Sequence, residues 1–369
     1  MTGRGRAVRF AIIGAGVIGR THAACIRELA PGATLALVAD EVASRARDLA
    51  AAYGAEATTS AAVVFSRDDI DAVAICTPSG RHADLAVAAL DAGKHVIVEK
   101  PIDVTLRAAR RVADAEARAA AIVTVVSQHR FDPSSQLVHQ AVQEGRLGRL
   151  TSGVASVAWW RSQDYYDSGD WRGSWALDGG GALMNQGIHT VDLLVWMLGE
   201  PVEVNARTAC LAHQRIEAED IAVAVIRFAS GALGVLHATT AAYPGLTARI
   251  QVHGDRGSAV IDGDRLTYFH AATGDAGSPG HGATADLNQA ADLLPGLAPA
   301  PAAGSDPGAL SDAHLHQYRD FVEATERGRR PAVTVDDAIR ALAVVTAVYE
   351  STTAESVPVE PWTALMPLR

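Results

Sequence analysis

Aromatic side chains are scarce in this sequence, 5% of 369 residues, so any local concentration of them is informative. Cysteine is scarcer still. Cys25, Cys76 and Cys210 stand far apart with no C-x-x-C pair, which excludes a disulfide framework and a zinc ribbon and suits thiols in a reducing compartment. An excess of basic charge is also missing. Lys and Arg number 32 against 42 Asp and Glu, a net charge of −10, and neither nucleic acid nor an anionic membrane is served by that balance. No window reaches the ~18 apolar residues of a membrane span. One apolar stretch, Phe10 to Ile18, follows Arg4 and Arg6 and precedes Ala23-Ala24-Cys25, in the manner of a lipoprotein leader. Arg9, which interrupts it, and the glycines at 14, 16 and 19 argue against that. A cytoplasmic protein is expected.

What the sequence does contain is enough apolar residue, 49%, for large cores, and enough length for two domains. Residues 1–127 alternate apolar runs with helical patterns. Strands are predicted over Val8–Ile13, Thr34–Ala39, Ala72–Cys76, His95–Val98 and Ile122–Val126. Helices are predicted over Gly16–Ala30, Glu41–Tyr53, Arg81–Ala92 and Leu106–Ala120. Short, continuously apolar strands alternating with helices make an α/β Rossmann domain with a parallel sheet. After Gln128 the rhythm changes. Helices Ser134–Glu144 and Ala182–Leu198 flank a half-exposed strand, Leu150–Trp160, and six further strands follow between Val202 and His270, several separated by hairpin-type Gly-Asp, Ser-Gly and Asp-Gly pairs. Residues 128–369 therefore form an α+β domain with a large, mostly antiparallel open sheet. Residues 272–311, rich in Ala, Gly, Pro and Asp, read as a long surface excursion. Helices Ala313–Arg327 and Val335–Ser351 close the chain.

Gly14-Ala15-Gly16-Val17-Ile18-Gly19 follows a predicted strand and opens a predicted helix. Such a loop turns tightly at Gly14, admits a pyrophosphate over Gly16, packs closely at Gly19, and offers the helix N-terminus to phosphate. Asp40 ends the second strand, where an acid hydrogen-bonds a ribose 2′-hydroxyl and repels a 2′-phosphate; Glu41 adds to the repulsion. NAD is favoured over NADP; Arg45, a helical turn further on, is either a receptor for a 2′-phosphate or a solvated helix residue.

Glu99-Lys100-Pro101 stands at the C-terminal end of a strand, where open α/β sheets bind ligands. A lysine there either donates to a substrate oxygen and steadies alkoxide charge or is a surface turn residue. In Gly179-Gly180-Gly181-Ala182-Leu183-Met184-Asn185-Gln186-Gly187-Ile188-His189-Thr190-Val191-Asp192, helical spacing puts Asn185, His189 and Asp192 on one face. The segment 159–173 holds five aromatics in Trp159-Trp160-Arg161-Ser162-Gln163-Asp164-Tyr165-Tyr166 and Trp171-Arg172. Aromatic faces beside amides and guanidinium groups suit a carbohydrate pocket, with Arg161, Gln163, Tyr165, Trp171, Arg172 and Asn185 as substrate contacts. A loop pinned to the core, or an oligomer contact, is the alternative for each aromatic. His314 and His316 lack a third ligand, and no metal is predicted.

These stretches together resemble the Gfo/Idh/MocA family, on the glycine fingerprint, Thr77-Pro78 with His82, Glu99-Lys100-Pro101, Gly179 to Asp192, and the closing pattern His316-Gln317-Tyr318 to Tyr349-Glu350. The resemblance implies Thr77, Pro78, His82, Glu99 and Lys100 at the cofactor with Gly14, Gly16, Val17, Ile18, Gly19 and Asp40. It implies Lys100 and His189 as catalytic residues, His189 as general acid/base with Asn185 beside it in the catalytic set, in a hydride transfer between NAD and a ring hydroxyl of a sugar, sugar nucleotide or cyclitol. A homodimer or homotetramer through the C-terminal sheet is also implied. The segment 159–173, Met184-Asn185-Gln186 and residues 215–220 look like the subgroup of UDP-N-acetylglucosaminuronate 3-dehydrogenases. Asn185 departs from the family, many members of which carry Asp there; an amide orients an imidazole without balancing its charge, and Asp192 is the carboxylate at hand to compensate. Two other functions stand beside the dehydrogenase: a non-catalytic NAD-binding regulator, and an enzyme that recycles tightly bound NAD in hydrolysis or epimerisation.

Overall fold

Runs of Val, Ile and Ala with no polar alternation can only be strands buried on both faces, and that is what they form. The computed structural model describes residues 6–272, 287–295, 312–352 and 357–358. Its contacts group the chain into two units. The first comprises residues up to 128, 171–179 and 306–342; the second comprises 129–170, 180–305 and residues from 343 onward.

The first unit begins with β1 (Val8–Ile13), α1 (Val17–Glu28), β2 (Ala33–Ala39), α2 (Ala43–Tyr53), β3 (Glu56–Thr58), α3 (Ala61–Ser66) and β4 (Ala72–Ile75). It continues through α4 (His82–Asp91), β5 (His95–Val98), α5 (Leu106–Arg118) and β6 (Val123–Val125). The sheet is parallel, in the order β3-β2-β1-β4-β5-β6. This is the doubly wound dinucleotide-binding order, whose ligand crevice opens where the order reverses, beyond the C-terminal ends of β1 and β4. β3 and α3 were not predicted, because Glu56-Ala57-Thr58 and the run of five apolar residues before Ser66 show no period. Phe10 and Ile12 of β1 are fully buried, each contributing roughly 1.5–3 kcal/mol of transfer free energy.

The second unit contains α6 (Pro133–Gln143), β7 (Leu150–Ala158), α7 (Gln163–Asp167) and α8 (Ile188–Leu198). Then come β8 (Pro201–Ala209), β9 (Ile221–Phe228), β10 (Leu233–Thr239), β11 (Arg249–Gly254), β12 (Gly257–Asp262), β13 (Arg265–Ala271) and α9 (Ala290–Leu293). α10 (Asp312–Arg327) belongs to the first unit and lays Tyr318 and Phe321 against Phe10, with ring centroids 5.8 and 6.0 Å away. α11 (Val335–Ser351) follows, and β14 (Val357–Pro358) completes an eight-stranded sheet in the order β13-β12-β11-β7-β10-β9-β8-β14. Among its described residues only β7 and β10 pair in parallel. In β9, Ala222, Ala224, Ile226 and Phe228 face inward while Val223, Val225 and Arg227 face out, the period of a sheet covered on one side.

Three expectations change. β7 stops at Ala158, and Trp160 makes only an isolated bridge to Ala241. The helix predicted over Ala182–Leu198 starts as a π-helical turn, Ala182–Gly187, before α8. Of the excursion predicted over 272–311, residues 273–286 and 296–311 lie outside the described residues, whereas 287–295 are held against β13: Gln289 N–H donates to Phe269 O and Ala271 N–H to Gln289 Oε1. Among the described residues no helix is long and apolar enough to cross a membrane.

Candidate active site

In the first unit the fingerprint turn is built by backbone proximity. Gly14 has φ +102°, and a Cβ there would lie 2.5 Å from Cys76 O; a Cβ on Gly19 would lie 2.1 Å from Gly14 O. Gly16, the N-cap of α1, has no atom within 4 Å of a Cβ position and no side-chain cap, so its face of the loop is open and the helix amides are available to phosphate. Asp40 accepts from Ala15 N–H and Val42 N–H at 2.8 Å each, one bond per carboxylate oxygen, which leaves lone pairs for ribose hydroxyls. Thr77 Oγ1, after β4, is buried without a partner. Val17 stands 58% exposed at the head of α1. An open glycine face, an oriented acid, an unsatisfied hydroxyl and an exposed valine suit a dinucleotide. His82 is different. Its ring nitrogens meet the carbonyls of Pro101 at 2.7 Å and Thr77 at 2.8 Å, so it ties two loops together and has no nitrogen left to offer a cofactor.

Lys100 stands on a buried ion pair. Glu99 Oε2 accepts the Lys100 N–H at 3.1 Å, and Oε1 accepts from His22 Nε2 at 2.9 Å. The other nitrogen of His22 meets Tyr318 Oη at 2.6 Å. Burial works against both charges, yet Cys76 and Glu99 together hold His22 up at about 10, and His22 and Lys100 hold Glu99 down at about 2. Glu99 therefore acts on the peptide that carries Lys100, inside the protein.

In the second unit Glu219 shapes the turn that carries Asn185. Its carboxylate accepts from Gly181 N–H at 2.9 Å and Leu183 N–H at 2.8 Å, its carbonyl accepts from Ala182 N–H at 3.0 Å, and Tyr349 Oη donates to it at 3.2 Å. A Cβ on Gly181 would lie 1.7 Å from Glu219 O, so the glycine is required by this approach. Burial pushes the Glu219 carboxyl up to about 7, against those donors. His189 lies in the first turn of α8, its ring edge-on to His129 with centroids 5.3 Å apart. Asp192 does not serve His189 as the sequence allowed. Both its oxygens accept from Arg130, at 2.8 and 2.7 Å, in a pair with side chains 5% and 6% exposed.

The aromatic segment divides between the units. Arg161 lies over Trp159 and Tyr165, 5.3 Å from each ring, and Tyr165 Oη accepts from Gln186 Nε2 at 3.0 Å. Arg161 Nε and Gln186 Oε1 are buried without partners. Gln163, by contrast, spends its amide on Gln214, at 2.8 and 2.9 Å, and on Asp167, so it shapes a loop. Trp171 and Arg172 belong to the first unit, the guanidinium 4.6 Å from the indole. Among the described residues His129, Asp132 and Asp264 have the spacing to hold a cation, but both carboxylates converge on one ring nitrogen, as in an imidazolium ion pair.

Comparison with known proteins agrees with this geometry. Residues 8–127 match the oxidoreductase family with an NAD-binding Rossmann fold, and residues 135–260 match the GFO/IDH/MocA C-terminal domain. The inositol 2-dehydrogenase of Rhizobium meliloti strain 1021 is 30% identical over 354 residues, covering 93% of this chain and 96% of that protein. The chain belongs to the Gfo/Idh/MocA family. The levoglucosan dehydrogenase of Pseudarthrobacter phenanthrenivorans is 27% identical over 380 residues, covering 94% of this chain and 96% of that one. The WlbA dehydrogenase of Bordetella pertussis, solved in complex with NADH and UDP-GlcNAcA, superposes with a TM-score of 0.84 at 30% identity, over 99% of each chain.

As a Gfo/Idh/MocA protein this chain is an oxidoreductase with an NAD-binding domain. Sequence reasoning missed His22, His129, Asp132, Glu219 and Asp264. Two signals were present: His22 lies three residues beyond the last fingerprint glycine, and Glu219 follows a polar run that precedes a strand. For His129 and Asp264, 135 residues apart, nothing local marks the pairing.

Proposed function

We propose that this chain oxidises a secondary ring hydroxyl of a sugar, sugar nucleotide or cyclitol, and reduces the corresponding ketone in reverse. Bound NAD⁺ supplies the carbon that accepts the hydride. Gly14, Gly16, Val17, Ile18 and Gly19 hold its phosphates, with Asp40 on the ribose and Thr77, Pro78 and the Glu99-Lys100 turn beside it. His189 takes the hydroxyl proton, Asn185 orients the imidazole, and Lys100 donates to the oxygen as negative charge develops. Arg161 and Tyr165 bind the ring, joined by Gln186. Support for the substrate side comes chiefly from one observation: Gln186 Oε1 and Arg161 Nε, buried and unpartnered beside Tyr165, are an acceptor and a donor that a polyol hydroxyl would satisfy.

The test is NADH formation with NAD⁺ or NADP⁺ across myo-inositol, levoglucosan and UDP-GlcNAcA, beside His189→Ala and Lys100→Ala. Turnover on one class, falling about 10²–10⁴-fold in His189→Ala, is expected. Undiminished turnover in that variant overturns the assignment. Measurable NAD⁺ binding with no turnover favours a regulator, and a changed sugar without net NADH favours internal recycling.

The outer face of the second sheet supports a homo-oligomer. Val225 and Val235 pair directly across β9 and β10, 50% and 42% exposed, flanked by Val223 and Leu233 at 46% and 50%. An apolar row on an open sheet suits a self-complementary interface. Val225→Glu with Val235→Glu lowers the mass measured by light scattering; an unchanged mass rejects this face.

A further inference from the structure

We propose that His129, Asp132 and Asp264 form an electrostatic support for His189, supplying the counter-charge that the ring requires once it has accepted a proton; this rests on His189 being the general base. A base that becomes an imidazolium needs negative charge nearby, and its own helix offers none. Asn185 is a neutral amide, and Asp192 is neutralised by Arg130 in a buried two-bond pair. His139 of α6 is stacked on Trp196, farther along α8, at 3.7 Å.

The charge arrives from two other elements. His129, in the turn after β6, sets its ring edge-on to His189 at an interplanar angle of 86°. Its Nδ1 meets Asp132 Oδ2 at 2.7 Å and Asp264 Oδ1 at 3.2 Å. Asp132 is the N-cap residue of α6 but makes no capping bond, its carboxylate being turned to His129 instead. Asp264 reaches in from the β12–β13 hairpin. Burial opposes the charge on His129, and the two carboxylates outweigh it, raising the ring to about 10. One imidazolium between two carboxylates gives the cluster a net single negative charge, and its ring is the member that meets His189. As positioning residues, these three act through His189 without touching substrate.

The test needs no substrate. His189 is followed by NMR in the full-length protein carrying ¹³C-labelled histidine, its signal assigned by loss in His189→Gln. Replacing Asp264, 58% exposed and so tolerant of change, by Asn removes one negative charge. The His189 titration midpoint falls by about 0.5–1 pH unit, as expected for one charge several ångströms away at partial exposure. Asp132→Asn moves it the same way, and Asn185→Asp placed in Asp264→Asn moves it back. A midpoint unmoved in both folded carboxylate variants overturns the proposal. Activity separates this from the parent reading: if His189→Gln keeps turnover on the substrate found above, the base assignment fails whatever the titrations show. If turnover is lost while Asp264→Asn and Asp132→Asn leave the midpoint in place, only the support fails.

Discussion

Replacing Asp192 by Asn tests whether this acid is a structural partner or a catalytic one. The substitution keeps the shape of the side chain and one acceptor, but removes the charge that faces Arg130 across bonds of 2.8 and 2.7 Å. With side-chain exposures of 5% and 6%, the guanidinium loses the carboxylate that faces it in a site that water hardly reaches. Breaking such a pair from one side costs about 3–5 kcal/mol. The retained acceptor places Asp192→Asn near the lower figure, and each kcal/mol lowers the melting point of a unit of this size by about 2–4 °C. Trp196 lies 5.2 Å from the Arg130 guanidinium, so urea unfolding followed by tryptophan fluorescence includes a reporter at the site. Converting both partners, Arg130→Met with Asp192→Leu, recovers most of the loss, because no lone charge remains. An unchanged unfolding midpoint together with a shifted His189 titration refutes the reasoning and returns Asp192 to the catalytic histidine.

The fingerprint predicts a contrast. Gly19→Ala drives a methyl into Gly14 O and destabilises the protein by about 1–3 kcal/mol. Gly16→Ala, in open space, leaves the melting point unchanged and weakens NAD⁺ binding about tenfold or more, both read by thermal shift with and without nucleotide. Asp40→Ser removes the charge that opposes a 2′-phosphate, so the ratio of NADP⁺ to NAD⁺ affinity rises at least about tenfold, measured by fluorescence titration. Glu219 makes stability depend on pH. Its folded carboxyl, at about 7, lies above the ordinary 4.5, so the folded state holds the proton more tightly. This contribution is full below pH 4.5 and lost as pH rises through 7, by roughly 1–3 kcal/mol in all. In Glu219→Gln that slope disappears from urea midpoints measured across the window.

What the sequence made legible follows from how far each signal reaches along the chain. The nucleotide domain was readable because its information is local: an apolar run, then glycines at fixed spacing, then an acid at the next strand end, each within one strand–helix unit. β1, β5 and α11 were predicted to the residue. The π-helical turn was not, because the influence that shapes it comes from Glu219, 34 residues beyond Asn185, and the triple glycine shows only that something approaches closely. Asp192 failed for the opposite reason. Helical spacing made it a neighbour of His189, but Arg130, far away in sequence, binds it more strongly than one helical turn can. Electrostatics therefore separates two kinds of acid near the histidine. Acids on its own helix are visible as spacing and can be claimed by a distant cation; acids that act on it arrive from other elements and leave no pattern in the sequence. A charge-changing substitution at Asp264 accordingly informs on His189 more than one at Asp192, although only Asp192 lies on the histidine's own helix.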